Sequence, residues 1–266
     1  MVKMREKNWS KRGQLSIFII LAIAIISVGA LLLMQRGNLP ISITPETPIS
    51  QIKGCILGNE NNADSLKGLI VKLENQGGTL NPQNYFLYQD NKIEYLCYTN
   101  EFYKKCIMQK PLLKNDIEKE LKSQIDGKVN TCLENFKNSY KSKGYEVSYK
   151  KPEVSIELIP KTIIISLSNL DLKVSKEKTE TYKSLNVDFE SKLYNFVMIS
   201  SSIITSETRF GDSEAMIYMM NYPTMRVEKK KQSDGTAVYI LTDKDTDEKF
   251  MFSVRSLVIP FGITGN

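Results

Sequence analysis

Four cysteines and no histidine stand in this 266-residue sequence, and those two facts bound the chemistry open to it. Without imidazole the commonest general base is gone, and with it the Ser-His and Cys-His nucleophile pairs and most catalytic zinc sites. A phosphate-binding loop with the Gly-Lys-Ser/Thr ending is also missing. Carboxylates remain. Asp171, Asp188 and Glu190 fall in a stretch of alternating strands and could pair across a sheet, although alternation places such charges on the wet face. Asp243, Asp245 and Asp247 share the D-x-D-x-D spacing that opens a calcium loop. The sixth position, which needs Gly, is Glu248, and the twelfth, which needs a bidentate Glu, is Val254, so an EF-hand is excluded. Two readings of this turn stay open: a weak, open calcium contact, or a solvated hairpin turn that keeps two hydrophobic strands soluble. No cofactor and no metal is called for.

The cysteines carry the more specific signal. Their number is even, they all follow the long apolar stretch near the N-terminus, and no Cys-x-x-Cys pair is among them, so disulfides are the expectation. Cys97 and Cys106 are symmetric about Asn100–Tyr103, and a four-residue hairpin loop there would set them directly opposite each other. Cys55 and Cys132 remain, each on the apolar side of an expected helix. Their link closes a loop of about 78 residues, which chain entropy credits with about 4 kcal/mol. The alternative is four buried free thiols.

The elements that must position these residues follow from periodicity. Ile49, Ile52, Ile56, Ala63, Leu66, Ile70 and Leu73 keep helical spacing, interrupted by the polar run Asn59–Asn62 and stopped at Gly77 and Gly78. Tyr85–Tyr88 and Ile93–Tyr98 read as a hairpin turning at Asp90 and Asn91. After Pro111, one helical face carries Ile117, Leu121, Ile125, Val129, Cys132, Phe136 and Tyr140, and Gly144 ends that helix. From Tyr145 the period changes to two, in strands around Val147, Ile156, Ile165 and Val187, as in a one-sided antiparallel sheet. Leu193 to Ile204 gives a covering helix, and a shorter one after a cap at Asp212 carries Met216, Met219 and Met220 as core filler. Val238–Leu241 and Phe250–Val254 form the closing hairpin.

Leu15 to Met34 holds 20 residues without a charge, long enough as a helix, at about 1.5 Å per residue, to cross a bilayer. Lys3, Arg5, Lys7, Lys11 and Arg12 precede it against Glu6, while Arg36 alone follows closely. The tail should therefore stay cytoplasmic and the bulk of the chain extracellular, on a single-pass anchor in the cell membrane that meets lipid through residues 15–34. The tail also accounts for a net +4 of the chain's +6, leaving +2 for the other 254 residues. No basic face is left for nucleic acid; Arg226 and Lys229–Lys231, set among Glu228 and Asp234, read as a solvated strand end.

Lys11-Arg12-Gly13-Gln14-Leu15-Ser16 followed by an apolar helix resembles the class III signal peptide of archaeal type IV pilin-like proteins. That resemblance implies cleavage between Gly13 and Gln14, and Gln14 and Ser16 match the usual first and third mature residues. Phe18 stands where such pilins usually carry Glu, which weakens filament assembly. A longer likeness, through KRGQLSIFII, the helices carrying Cys55 and Cys132, LENQGG at Leu73–Gly78, and the ending VYILTDKDTDEKFMFSVRSLVIP, is to a group of uncharacterised membrane-anchored surface proteins of small-genome archaea. It implies architecture and supplies no catalytic residue.

The expected fold class is α+β, with one N-terminal transmembrane helix followed by an extracytoplasmic domain of helices packed on antiparallel sheet. The expected domains are a cytoplasmic tail or leader over 1–13, a transmembrane helix over 14–36, a Pro-containing spacer over 37–48, a helical subdomain with a small hairpin over 49–144, and antiparallel sheet with covering helices over 145–266. The function expected is a non-enzymatic, membrane-anchored cell-surface protein with a structural or binding ectodomain, a pilin-like form being its sharper version. Its partners would be surface proteins or further copies of itself. The alternatives are an accessory subunit of an envelope or secretion complex, and a membrane-tethered carboxylate-dependent enzyme.

Overall fold

The computed structural model describes residues 21–23, 25–26, 47–60 and 62–258. Contacts divide the chain into a unit over Met1–Glu46, in which residues 21–23 and 25–26 are helical, and a compact unit over Thr47–Asn266.

In the second unit, helix α1 (Pro48–Leu57) begins where the Thr47 hydroxyl accepts the Ser50 amide at 3.2 Å and Pro48 fills the first turn, a position that needs no N–H donor. Gly58 and the polar run after it end α1, and Ser65 caps α2 (Leu66–Asn75) by accepting the Gly68 amide at 3.0 Å. Beyond α2, Gly77 and Gly78 have φ of +77° and +87°, and the Gly78 amide returns to the Leu73 carbonyl at 2.9 Å, a left-handed stop. Strands β1 (Tyr85–Tyr88) and β2 (Asn91–Tyr98) turn through Gln89 and Asp90, both at positive φ. The turn thus lies one residue earlier than its composition indicates.

After the short β3 (Ile107–Met108) comes α3 (Leu113–Ser142), whose buried stripe includes Ile117, Leu121, Ile125, Val129, Cys132, Phe136 and Tyr140. Two small antiparallel sheets follow. One is ordered β4 (Glu146–Ser148), β7 (Leu172–Ser175), β8 (Thr179–Tyr182), and the other β5 (Glu153–Ile159), β6 (Thr162–Ser168), β9 (Leu185–Glu190). α3 packs along β5, and its Glu118 carboxylate accepts the Leu158 amide at 2.8 Å, covering a donor on that edge strand. Helices α4 (Leu193–Phe210) and α5 (Ala215–Asn221) lead into β10 (Met225–Lys231), β11 (Thr236–Asp243) and β12 (Lys249–Arg255). The largest sheet is ordered β1-β2-β12-β11-β10, with β3 beside β2.

The expected fold class is corrected on its membrane helix. The chain is α+β with largely antiparallel sheets, but among the described residues no helix is long and apolar enough to cross a membrane. Most of 14–36 lies outside the described residues, as do residues 1–13. The antiparallel expectation also misses one pair: β2 and β12 run parallel. That pairing brings residues from both sides of the expected boundary at 144 into one sheet.

One cluster of buried side chains runs through the Thr47–Asn266 unit, joining Ile52, Leu73, Leu121, Ile165, Phe196 and Phe250. Phe196 of α4 stacks on Phe250 at 6.2 Å. The other face of the large sheet holds a small second cluster of Ile93, Val238 and Met251 under Phe86, Tyr88 and Ile240.

Candidate functional site

The structure bonds Cys55 to Cys132 and Cys97 to Cys106. The first link ties α1 to α3, with Cα atoms 5.8 Å apart across 77 positions of sequence. The second has a different local cause from the one spacing suggests. Cys97 lies opposite Met108, and Tyr98 opposite Ile107, so the loop is wider than the four residues of a hairpin at Asn100–Tyr103. Cys106 reaches Cys97 from that loop, where its amide donates to the Ser256 hydroxyl at 3.1 Å. Arg12, Gly13 and Gln14 lie outside the described residues.

The expected carboxylate pairs are not assembled. Asp188 and Glu190 sit on the outward face of β9, and Asp171 pairs with Lys150 at 2.8 Å. In the acidic turn, Asp243 is buried and its Oδ1 accepts the amides of Asp245 and Thr246 and the Thr246 hydroxyl. Its Oδ2 faces the Lys192 ammonium at 3.5 Å. Those contacts make the turn a self-capped hairpin end, and among the described residues no group of three or more acidic or cysteine side chains is placed to hold a metal ion.

Spacing did not single out the cluster with the most chemistry in it. Glu207, on the buried face of α4, accepts from Lys229 Nζ at 2.9 Å and from the Tyr239 hydroxyl at 2.5 Å. Lys229 also pairs with Asp212, and its ammonium lies 5.1 Å from the Tyr239 ring centroid. Lys229 is therefore an inward-facing residue of β10 and not part of a solvated strand end, and Asp212 serves it instead of capping α5. Burial, then the charge and hydrogen bond of Glu207, push the Tyr239 hydroxyl far above its ordinary range. Partial burial would raise Asp212, but the hydrogen bond and charge of Lys229 hold it below the usual carboxylate range. A cation shared by two carboxylates is quenched as a base, so this network locks α4 to the sheet. A sequence signal was present: Glu207 continues the stripe of Phe196, Ser200, Ile203 and Ile204, and Lys229 shares strand parity with Met225 and Val227.

Among the described residues, a cavity and an exposed apolar helix stand out. An open cavity of about 610 Å³ lies between α1, α2 and α3. Ile56, Leu66 and Ile125 give it a buried apolar floor, and Lys72, Asn81, Gln124 and Lys128 are among its polar lining. Its volume falls in the range of small-molecule sites, about 300–1,000 Å³. The other surface is α5, expected to put methionines into the core. It has no buried residue, and Met216 and Met220 are 66% and 75% exposed, whereas Met219 is partly buried against the core with Ala215 and Tyr218.

Comparison with known proteins finds no matching family model, no matching curated protein and no matching solved structure.

Proposed function

We propose that this chain is a non-enzymatic, extracytoplasmic domain of the cell surface, with a structural or binding role. The observation that supports this reading most is the pair of disulfides, which commits all four cysteines. Such links persist outside the cytosol and are reduced within it. The buried Glu207, Lys229 and Tyr239 groups satisfy one another and present no nucleophile or base to solvent, which favours a binding or structural role over catalysis. The test is labelling of intact cells with a membrane-impermeant, amine-reactive biotin. Labelled lysine peptides from residues 47–258 are expected, and labelling that appears only after lysis would overturn the location.

The class III leader belongs to the same proposal, with cleavage between Gly13 and Gln14 beside Arg12. Mass spectrometry of the mature chain should find Gln14 first; a start at Met1 or Val2 denies processing.

The exposed apolar side chains of α5 favour a second reading, an accessory subunit of an envelope or secretion complex, because contiguous exposed apolar surface marks contact sites. A stoichiometric companion that is lost in a Met216→Glu, Ile217→Lys variant would support it, and a companion-free chain would refute it.

A further inference from the structure

The cavity between α1, α2 and α3 combines an apolar floor with an ammonium in an unusual position. Lys128 reaches in from α3, and its Nζ donates to the Asp64 carbonyl at 3.0 Å. A Cβ on Gly58 would stand 3.1 Å from that nitrogen, so the glycine leaves the room in which the ammonium sits. Among the described residues Lys128 donates to this neutral carbonyl and makes no ion pair. Partial burial lowers its pKa, against the pull of Asp64. The Glu120 carboxylate on the same wall is already engaged by the Leu80 amide at 3.1 Å, and a second lysine, Lys72, stands exposed on the lining.

A partly desolvated ammonium with no carboxylate in salt-bridge contact gains more from an arriving anion than a solvated one does, because part of the cost of removing it from water is already met; the Asp64 carboxylate, farther off on the same lining, offsets some of that gain. Beside it, the partly buried Leu69 and Leu80 offer apolar surface that a purely polar ion would leave unused. We propose that this cavity binds a small amphipathic anion: an aromatic or short aliphatic body on those side chains, with a carboxylate, sulfonate or phosphate head directed to Lys128. This inference rests on the reading of the chain as a binding domain and supplies its ligand class. The Cys55–Cys132 link fixes the geometry, since α1 contributes Ile56 and α3 contributes Ile125 and Lys128.

The experiment uses two fluorescent probes on the purified chain with its disulfides intact: anionic 1-anilinonaphthalene-8-sulfonate and neutral N-phenyl-1-naphthylamine. One saturable site is expected for the sulfonate. Lys128→Met should weaken the sulfonate at least tenfold and leave the neutral probe within twofold, whereas Leu69→Trp, which fills the cavity, should weaken both at least tenfold. Lys72→Glu alters an exposed side chain, keeps the test usable if the other variants fold poorly, and should weaken the sulfonate alone. Absence of saturable sulfonate binding to the parent chain, or equal sulfonate affinity in the parent and the variants, would overturn the ligand class. Because surface labelling of intact cells is read separately, that failure would leave the location of the domain standing.

Discussion

Lys229 illustrates how a charge comes to be kept inside this domain. Glu207 and Lys229 face each other with side-chain exposures of 2% and 14%, so removing Lys229 strands Glu207 away from water, whereas removing Glu207 leaves Lys229 with Asp212. Lys229→Ala should cost about 3–5 kcal/mol in urea denaturation, while the double replacement Lys229→Met, Glu207→Leu should cost much less, since the one charge left without its partner is Asp212, which is 53% exposed. An equal or larger cost for the double variant would refute this view of the pair. Glu74 is the opposite case. It is buried, its Oε1 has no partner, and burial followed by the charge of Glu248 raises its pKa well above the ordinary 4.5. A carboxyl whose folded pKa is raised contributes its stability below the unfolded value and loses it as pH climbs through the folded one. Glu74→Gln should therefore gain on the parent as pH rises, and urea denaturation near pH 4 and near pH 8 checks it; a constant difference would contradict it. The sequence held part of this information. Glu74 follows Ile70 by one helical turn and so lies on the buried stripe, but spacing cannot tell whether a carboxylate there finds a partner, because what its helix packs against comes from β2 and β12.

At the scale of elements, spacing served where one segment decides its own structure. The α3 stripe and the stops at Gly77, Gly78 and Gly144 depend on residues next to one another in sequence, and they stand in the structure as read. Gly78 shows why its motif is so constrained: φ is +87°, and a Cβ there would meet Ile117 Cδ1 at 2.9 Å. Gly78→Ala should cost about 2 kcal/mol from backbone strain and crowding together, measured as a shift in denaturation midpoint. Of the short elements, β1, β4 and α5 were legible and others were not. β7 and β8 are four residues each, too few for alternation to register, and α5 keeps helical methionine spacing but turns only Met219 of its expected methionines toward the core. The symmetry about Asn100–Tyr103 pointed to the Cys97–Cys106 pair for a reason the register does not share, since β3 meets β2 at Met108. By the chain-entropy relation, replacing Cys55 and Cys132 with alanine should cost about 4 kcal/mol, and replacing Cys97 and Cys106 about 3 kcal/mol. The longer loop should give the larger midpoint shift, and a reversed order would contradict the entropic ranking.

For the whole molecule, the feature least legible in the sequence is the parallel pairing of β2 with β12, which joins distant segments; Tyr95 lies opposite Ser253, 158 positions later. Strand pattern is local, whereas pairing partners are chosen by long-range packing, so periodicity yields the strands and not their order. The second long-range tie is covalent. Cys55–Cys132 holds the first helix of the unit to its longest helix, and the cavity is framed by the same two helices. Both the proposed location and the cavity depend on that bond existing in the cell. The most direct measurement is peptide mapping of the chain after thiols have been trapped in living cells, without reduction. Linked peptides containing Cys55 with Cys132 and Cys97 with Cys106 are the expected result; recovery of the four cysteines as trapped free thiols, or in crossed pairs, would contradict the reading of this chain as an extracytoplasmic domain held by these two disulfides.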